Sequence, residues 1–167
     1  MADQKTPVDA SHFIRRHVQF GWWSLLSFLS LGMFLEAMHG FKVSWYIDPS
    51  FESRRLVWTL GHAHGTLLGV IHIVFAATIH IGAIGKKSPH LASGCLMAAS
   101  VLLPGGFFLG GIFVYGGDPG LGILLVPVGA VCLFISVLLV AVSVTRGAAP
   151  PSKDQAKKSR KQRKPAR

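Results

Sequence analysis

Charge is scarce in most of this chain, and acid is scarcer than base. Of 167 residues only 14% are Asp, Glu, Lys or Arg, half are hydrophobic, and seven are acidic. A soluble domain averages about 25% charged residues, so the composition disfavours one. It equally excludes a disordered chain, which cannot be this apolar. Two cysteines exclude a disulfide-stapled scaffold. There is no phosphate-binding glycine loop, no Cys-rich metal motif and no Ser/His/Asp arrangement, so ATPase and hydrolase classes have no support.

The base that is present is unevenly placed. Residues 147–167 hold eight Lys/Arg against Asp154, which is +7 of the formal +10. Residues 1–146 are therefore nearly neutral, and no nucleic acid is expected as a partner. The Pro- and Lys-rich tail, 147–167, reads as a disordered, solvated orientation signal that touches anionic lipid.

Long uncharged runs set the architecture. His17–Leu35, Leu56–Gly85, Ser88–Gly117 and Pro119–Thr145 contain no Asp, Glu, Lys or Arg and run for 19, 30, 30 and 27 residues. About 20 apolar residues span a bilayer as a helix. Period-2 alternation is missing, so the spans must be helical. The sequence predicts an all-α, integral membrane four-helix bundle over 1–146, with spans near 18–40, 55–83, 91–116 and 122–145. The first run is longer than the 7–15 residue core of a signal peptide, so it is expected to be retained. Fourteen of the seventeen Lys/Arg fall on the side of the two termini and the 84–90 loop, leaving Lys42, Arg54 and Arg55 opposite. That asymmetry predicts cytoplasmic N and C termini in a bacterial inner membrane. Trp45, Tyr46, Phe51 and Trp58 fit an aromatic belt at the outer face.

Chemistry concentrates in the second span. Gly61-His62-Ala63-His64-Gly65 opens it, and Gly69, His72 and His80 follow. His62, Gly65, Gly69, His72, Ala76 and His80 form one stripe at helical spacing. Small residues among imidazoles suit either a neighbouring helix or a planar ligand. Ionisable groups within spans are functional suspects, although neutral histidines that bond across helices are the plain alternative. His62 and His64 point about 200° apart, and His62 and His72 are roughly 15 Å apart along the axis. No two of these histidines can therefore chelate one ion. A metal needs a ligand from another helix, or a cofactor such as haem that accepts a single His.

Glu36 and His39 close the first span. A di-iron centre would need a second E-x-x-H and further intramembrane Glu, which are missing. Glu36, His39, His62 or His64, and Arg54 or Arg55 can meet in one outer layer. In the third span, Pro104 with Gly106 and Gly110 reads either as tight packing or as a kink that opens a cavity. The fourth span reads as a packing or lipid-facing helix, and Cys95 and Cys132 as inert thiols. A bis-His b-type cytochrome is a further reading, with His39 facing His62 or His64 and His17 facing His80. A non-catalytic accessory or scaffold subunit is another.

Four spans in about 170 residues, His62 with Gly69 seven residues on, Gly65 between them, and the ending His39-Gly40-Phe41 of the first helix resemble the small membrane isomerases. These are styrene oxide isomerase and, more distantly, hydroxylaminobenzene mutase. The resemblance covers about residues 18–72. It implies haem b with His62 as axial metal ligand, and Lewis-acid isomerisation of a small apolar substrate. It also implies a homo-oligomer, a trimer in that family. The family's Asn before the Gly is Leu68 here. Its third-helix Tyr falls near Ile112, one turn from Tyr115. The candidate cofactor-binding residues are therefore His62, Gly65, Gly69, His64, His39 and Tyr115.

Overall fold

The computed structural model describes residues 7–84 and 89–147. Helix α1 runs over Pro7–Gly40, α2 over Ser44–Ile47, α3 over Glu52–His80, α4 over Pro89–Ile112 and α5 over Leu125–Gly147. A two-residue hairpin joins α4 to α5, with β1 (Val114–Tyr115) antiparallel to β2 (Asp118–Pro119). Gly116 and Gly117 turn it at φ of 58° and 94°, where side chains are strained.

Four helices are long and apolar enough to cross a membrane: Ala10–Gly40, Glu52–His80, Pro89–Ile112 and Leu121–Arg146. This is an integral membrane protein. Several boundaries differ from expectation, and the second span is set back by three residues at each end, Glu52–His80 rather than 55–83. The first helix starts well before residue 18, because Arg15 and Arg16 sit on an exposed surface and need not end it. The third stops at Ile112 rather than 116, because the chain enters the hairpin there. Beyond Gly147 the predicted tail lies outside the described residues.

The long helices form a row, each packed chiefly on its neighbour in sequence: α1 on α3, α3 on α4, α4 on α5. With lipid as apolar as Leu, such contacts rest on close packing, which small residues permit. The α1–α3 contact is the tightest. A Cβ on Gly21 would stand 2.8 Å from the Gly69 carbonyl, and one on Gly69 would stand 3.1 Å from the Gly21 carbonyl. Phe28 covers Gly65. On the other side of α3, Phe108 of α4 covers Gly61. The α3–α4 seam is the core, built from Leu68, Phe75, Ala92, Leu96, Ala99 and Leu103. Gly106 of α4 meets Val126 of α5, and Gly110 meets Ile123 in the 3-10 turn Leu121–Leu124 before it. Pro104 is buried within a continuous helix. Of the two readings of that segment, packing is the one its contacts show.

Candidate functional site

α3 carries His62 toward α1. Its Nδ1 lies 2.6 Å from the carbonyl oxygen of Phe28. A carbonyl only accepts, so Nδ1 bears the hydrogen and Nε2 keeps its lone pair. The ring lies over Gly32, where a Cβ would be 2.7 Å from either ring nitrogen. With the ring in this place there is no room for a Cβ at 32.

His62 lines a cavity of about 590 Å³ at the end of the row that carries α2. Glu36 and His39 face it from α1, and Glu52, Arg55 and Thr59 from α3. Arg55 pairs with Glu52 at 3.9 Å and donates from Nη1 to the Ile47 carbonyl at 3.0 Å. Tyr46 closes the floor; it is buried with Leu35 and Met38 rather than set in an interface belt. The structure thus brings together Glu36, His39, His62 and Arg55, four members of the expected outer layer.

The other candidates sit elsewhere. His64 is turned toward Phe107 of α4, with ring centroids 4.9 Å apart, and its Nδ1 donates back to the Leu60 carbonyl. Phe28, Leu25 and Gly21 cover Gly65 and Gly69, so α1 occupies the face expected to suit a planar ligand. Tyr115 is 69% exposed on the hairpin and lines no part of the cavity. Arg54 is buried: its Nε donates to the Gly111 carbonyl at 3.0 Å, and its guanidinium stands 4.6 Å over the Trp45 ring. Among the described residues, no group of three or more His, Cys, Asp or Glu is arranged to hold a metal ion.

A second polar cluster lies deeper. His17 and His72 are both fully buried, with Nδ1 to Nδ1 at 2.6 Å. His17 Nε2 lies 2.7 Å from Ser93 Oγ, and His72 Nε2 lies 2.8 Å from Ser100 Oγ. His17 is therefore turned to His72 and not to His80, which ends α3 on the surface. His17 adjoins the exposed Arg15 and Arg16, yet its side chain faces inward. The available signal was a spacing. Ser93 and Ser100 are seven apart, on one face of α4, and Gly21 and Gly69 fix the register that aligns His17 with His72.

Comparison with known proteins gave no match: no family model, no curated protein and no solved structure is similar to this chain.

Proposed function

We propose that this membrane protein binds haem b through one protein ligand, His62 Nε2, beside the cavity formed by α1, α2 and α3. The observation that supports this most is the hydrogen bond from His62 Nδ1 to the Phe28 carbonyl. Metal-ligating imidazoles almost always donate their other N–H to a carbonyl or carboxylate, which fixes the ring and raises its basicity. Haem needs only one proximal His, which suits a site without a multidentate cluster. The residues fit in two further respects. The cavity of about 590 Å³ lies beside the ring, and Arg55 at its wall can pair with an anionic propionate. The glycine stripe does not admit the porphyrin, since α1 covers it; the cavity is the place left.

Bound there, haem iron would supply a Lewis acid, the chemistry implied by the resemblance of residues 18–72 to the membrane isomerases. This chain's own residues would do the rest. Glu36 and His39 offer polar groups that orient a small substrate, and Leu35 and Leu56 offer it apolar contact. In this reading both termini are cytoplasmic, the membrane is a bacterial inner membrane, and the protein is a homo-oligomer. Large exposed apolar side chains on α1, among them Trp22, Leu29, Met33 and Phe34, offer a surface for lipid or a second copy.

The test is the visible spectrum of protein purified in detergent after expression with haem supplied, oxidised and dithionite-reduced. The expected result is a Soret band that is lost in His62→Ala and kept in His64→Ala. Sharp reduced α and β bands with two haems per chain would replace this reading with the cytochrome. A protein still colourless after haem reconstitution would overturn it. It would leave an accessory subunit whose histidines hold helices together.

A further inference from the structure

A second groove lies at the opposite end of the helix row, between α1 and α4. Its volume is about 570 Å³. Its mouth is lined by His12, Arg15, Arg16 and Gln19 of α1, and its wall by Phe20 and Trp23 of α1 and Met97 of α4. Polar and apolar groups are sorted along the groove. Arg15 and Trp23 are eight residues apart, so the basic mouth and the aromatic end are separated by about 12 Å along the helix.

The groove has a structural reason. Phe13 of α1 packs edge-on against His90 of α4, with ring centroids 4.8 Å apart, and bridges the two helices near their ends. Farther in, His17 of α1 bonds to both Ser93 of α4 and His72 of α3. Phe20 rests on His72 at 4.4 Å, so the groove wall backs onto this buried cluster. Trp23 is 69% exposed, which leaves the deep end open to the bilayer. Among the described residues neither Arg15 nor Arg16 has an ion-pair partner.

We infer that this groove is a binding site for an anionic phospholipid. The guanidinium groups of Arg15 and Arg16 take the headgroup phosphate, whose oxygens accept paired N–H donors from arginine. One acyl chain follows Phe20, Trp23 and Met97 toward the membrane interior. Basic pockets between spanning helices hold phosphate-bearing headgroups in this way. The occupant is a lipid rather than free phosphate, because the groove continues into an apolar wall that opens sideways into the bilayer. The site does not depend on haem or on His62.

The experiment is native mass spectrometry of the full chain in detergent, titrated with phosphatidylglycerol, phosphatidylcholine or inorganic phosphate. Retention of phosphatidylglycerol above phosphatidylcholine is expected. Each of Arg15→Gln and Arg16→Gln should weaken it about fivefold, from roughly 1 kcal/mol per basic residue at the membrane surface. Trp23→Ala should weaken it while leaving the charge unchanged. Arg146→Gln removes one charge from the last turn of α5, outside the groove, and should have no such effect. Equal loss in Arg146→Gln would mean diffuse attraction and would overturn the site. So would equal retention of phosphatidylcholine, or binding of phosphate alone with no gain from an acyl chain.

Discussion

His17 and His72 share one hydrogen across 2.6 Å, fully buried between α1 and α3, and the groups around them fix its direction. Ser100 Oγ donates to the Leu96 carbonyl at 2.8 Å, so it accepts from His72 Nε2–H. Neutral His72 then accepts at Nδ1, and the hydrogen belongs to His17 Nδ1. His17 Nε2 in turn accepts from Ser93 O–H. Every polar atom in this run is satisfied with both imidazoles neutral, which is the condition for burying them among apolar helices.

Replacing one histidine breaks that condition. His72→Phe leaves His17 Nδ1–H without an acceptor, and His17→Phe leaves His72 Nδ1 without a donor. A buried unsatisfied group costs about 1–3 kcal/mol. The double replacement removes both polar partners and should cost less than the sum of the singles. Thermal unfolding in detergent, carried through the full four-member cycle, measures this. Additive costs would show that the two rings do not depend on each other.

How much of this was legible in the sequence follows from what each feature depends on. The four spans were legible because each uncharged run exceeds the length the bilayer demands. The joint placement of Glu36, His39 and His62 was legible too, since all three sit near the same ends of antiparallel helices. The His17–His72 pair was not. It depends on the axial register of α1 against α3, which a contact between Gly21 and Gly69 sets to within one turn. Depth along a helix can be counted from a sequence, but a partner's register cannot. The fate of the glycine stripe was open for the same reason: spacing shows that one face is small and not what fills it.

That contact sets a second expectation. A Cβ at Gly21 would stand 2.7 Å from Ile73 Cγ1 and 2.8 Å from a backbone oxygen, which cannot move aside alone. Gly21→Ala should therefore cost about 1–3 kcal/mol, the range for overpacking. Gly69→Ala, whose nearest neighbour is the Leu25 side chain at 3.0 Å, should cost less. Gly94 of α4 has nothing within 4 Å of its Cβ position. Gly94→Ala should be neutral or stabilising by up to about 1 kcal/mol, from helix propensity. Melting midpoints of the three variants give the order directly. Equal effects would mean that α1 and α3 are not packed in this register.

The same reasoning separates the ring of His62 from the fold around it. Gly32→Ala places a methyl group against the imidazole, whose atoms converge on that Cα. The side chain has room to swing toward the cavity, so the ring should be displaced and its bond to the Phe28 carbonyl lost, while the helices stay paired. In the haem-binding reading, Gly32→Ala weakens the Soret band with little change in melting midpoint. Gly40→Ala, with open space at its Cβ, leaves the band intact. A Soret band indifferent to Gly32→Ala would show that His62 is not the ligand.

Arg54 joins three elements at the α2 end of the row. Its Nε–H holds the Gly111 carbonyl where α4 ends, and its guanidinium carbon stands 4.6 Å over the Trp45 ring of α2. Trp58, one turn along α3, donates from Nε1 to the Phe108 carbonyl at 3.1 Å, so α3 supplies two donors near the end of α4. The Gly111 carbonyl is among the last four of α4, which have no partner within their own helix. A lysine cannot reproduce the planar group that bonds through Nε while stacking on an indole. Arg54→Lys should therefore destabilise nearly as much as Arg54→Met, by about 1.5–3 kcal/mol for a lost charge-assisted bond. The loss should be local. Hydrogen exchange should quicken at the end of α4 and in the hairpin before the α3–α4 seam responds. Full protection in Arg54→Lys would show that charge alone, and not the shape of the guanidinium, holds this end of the helix row together.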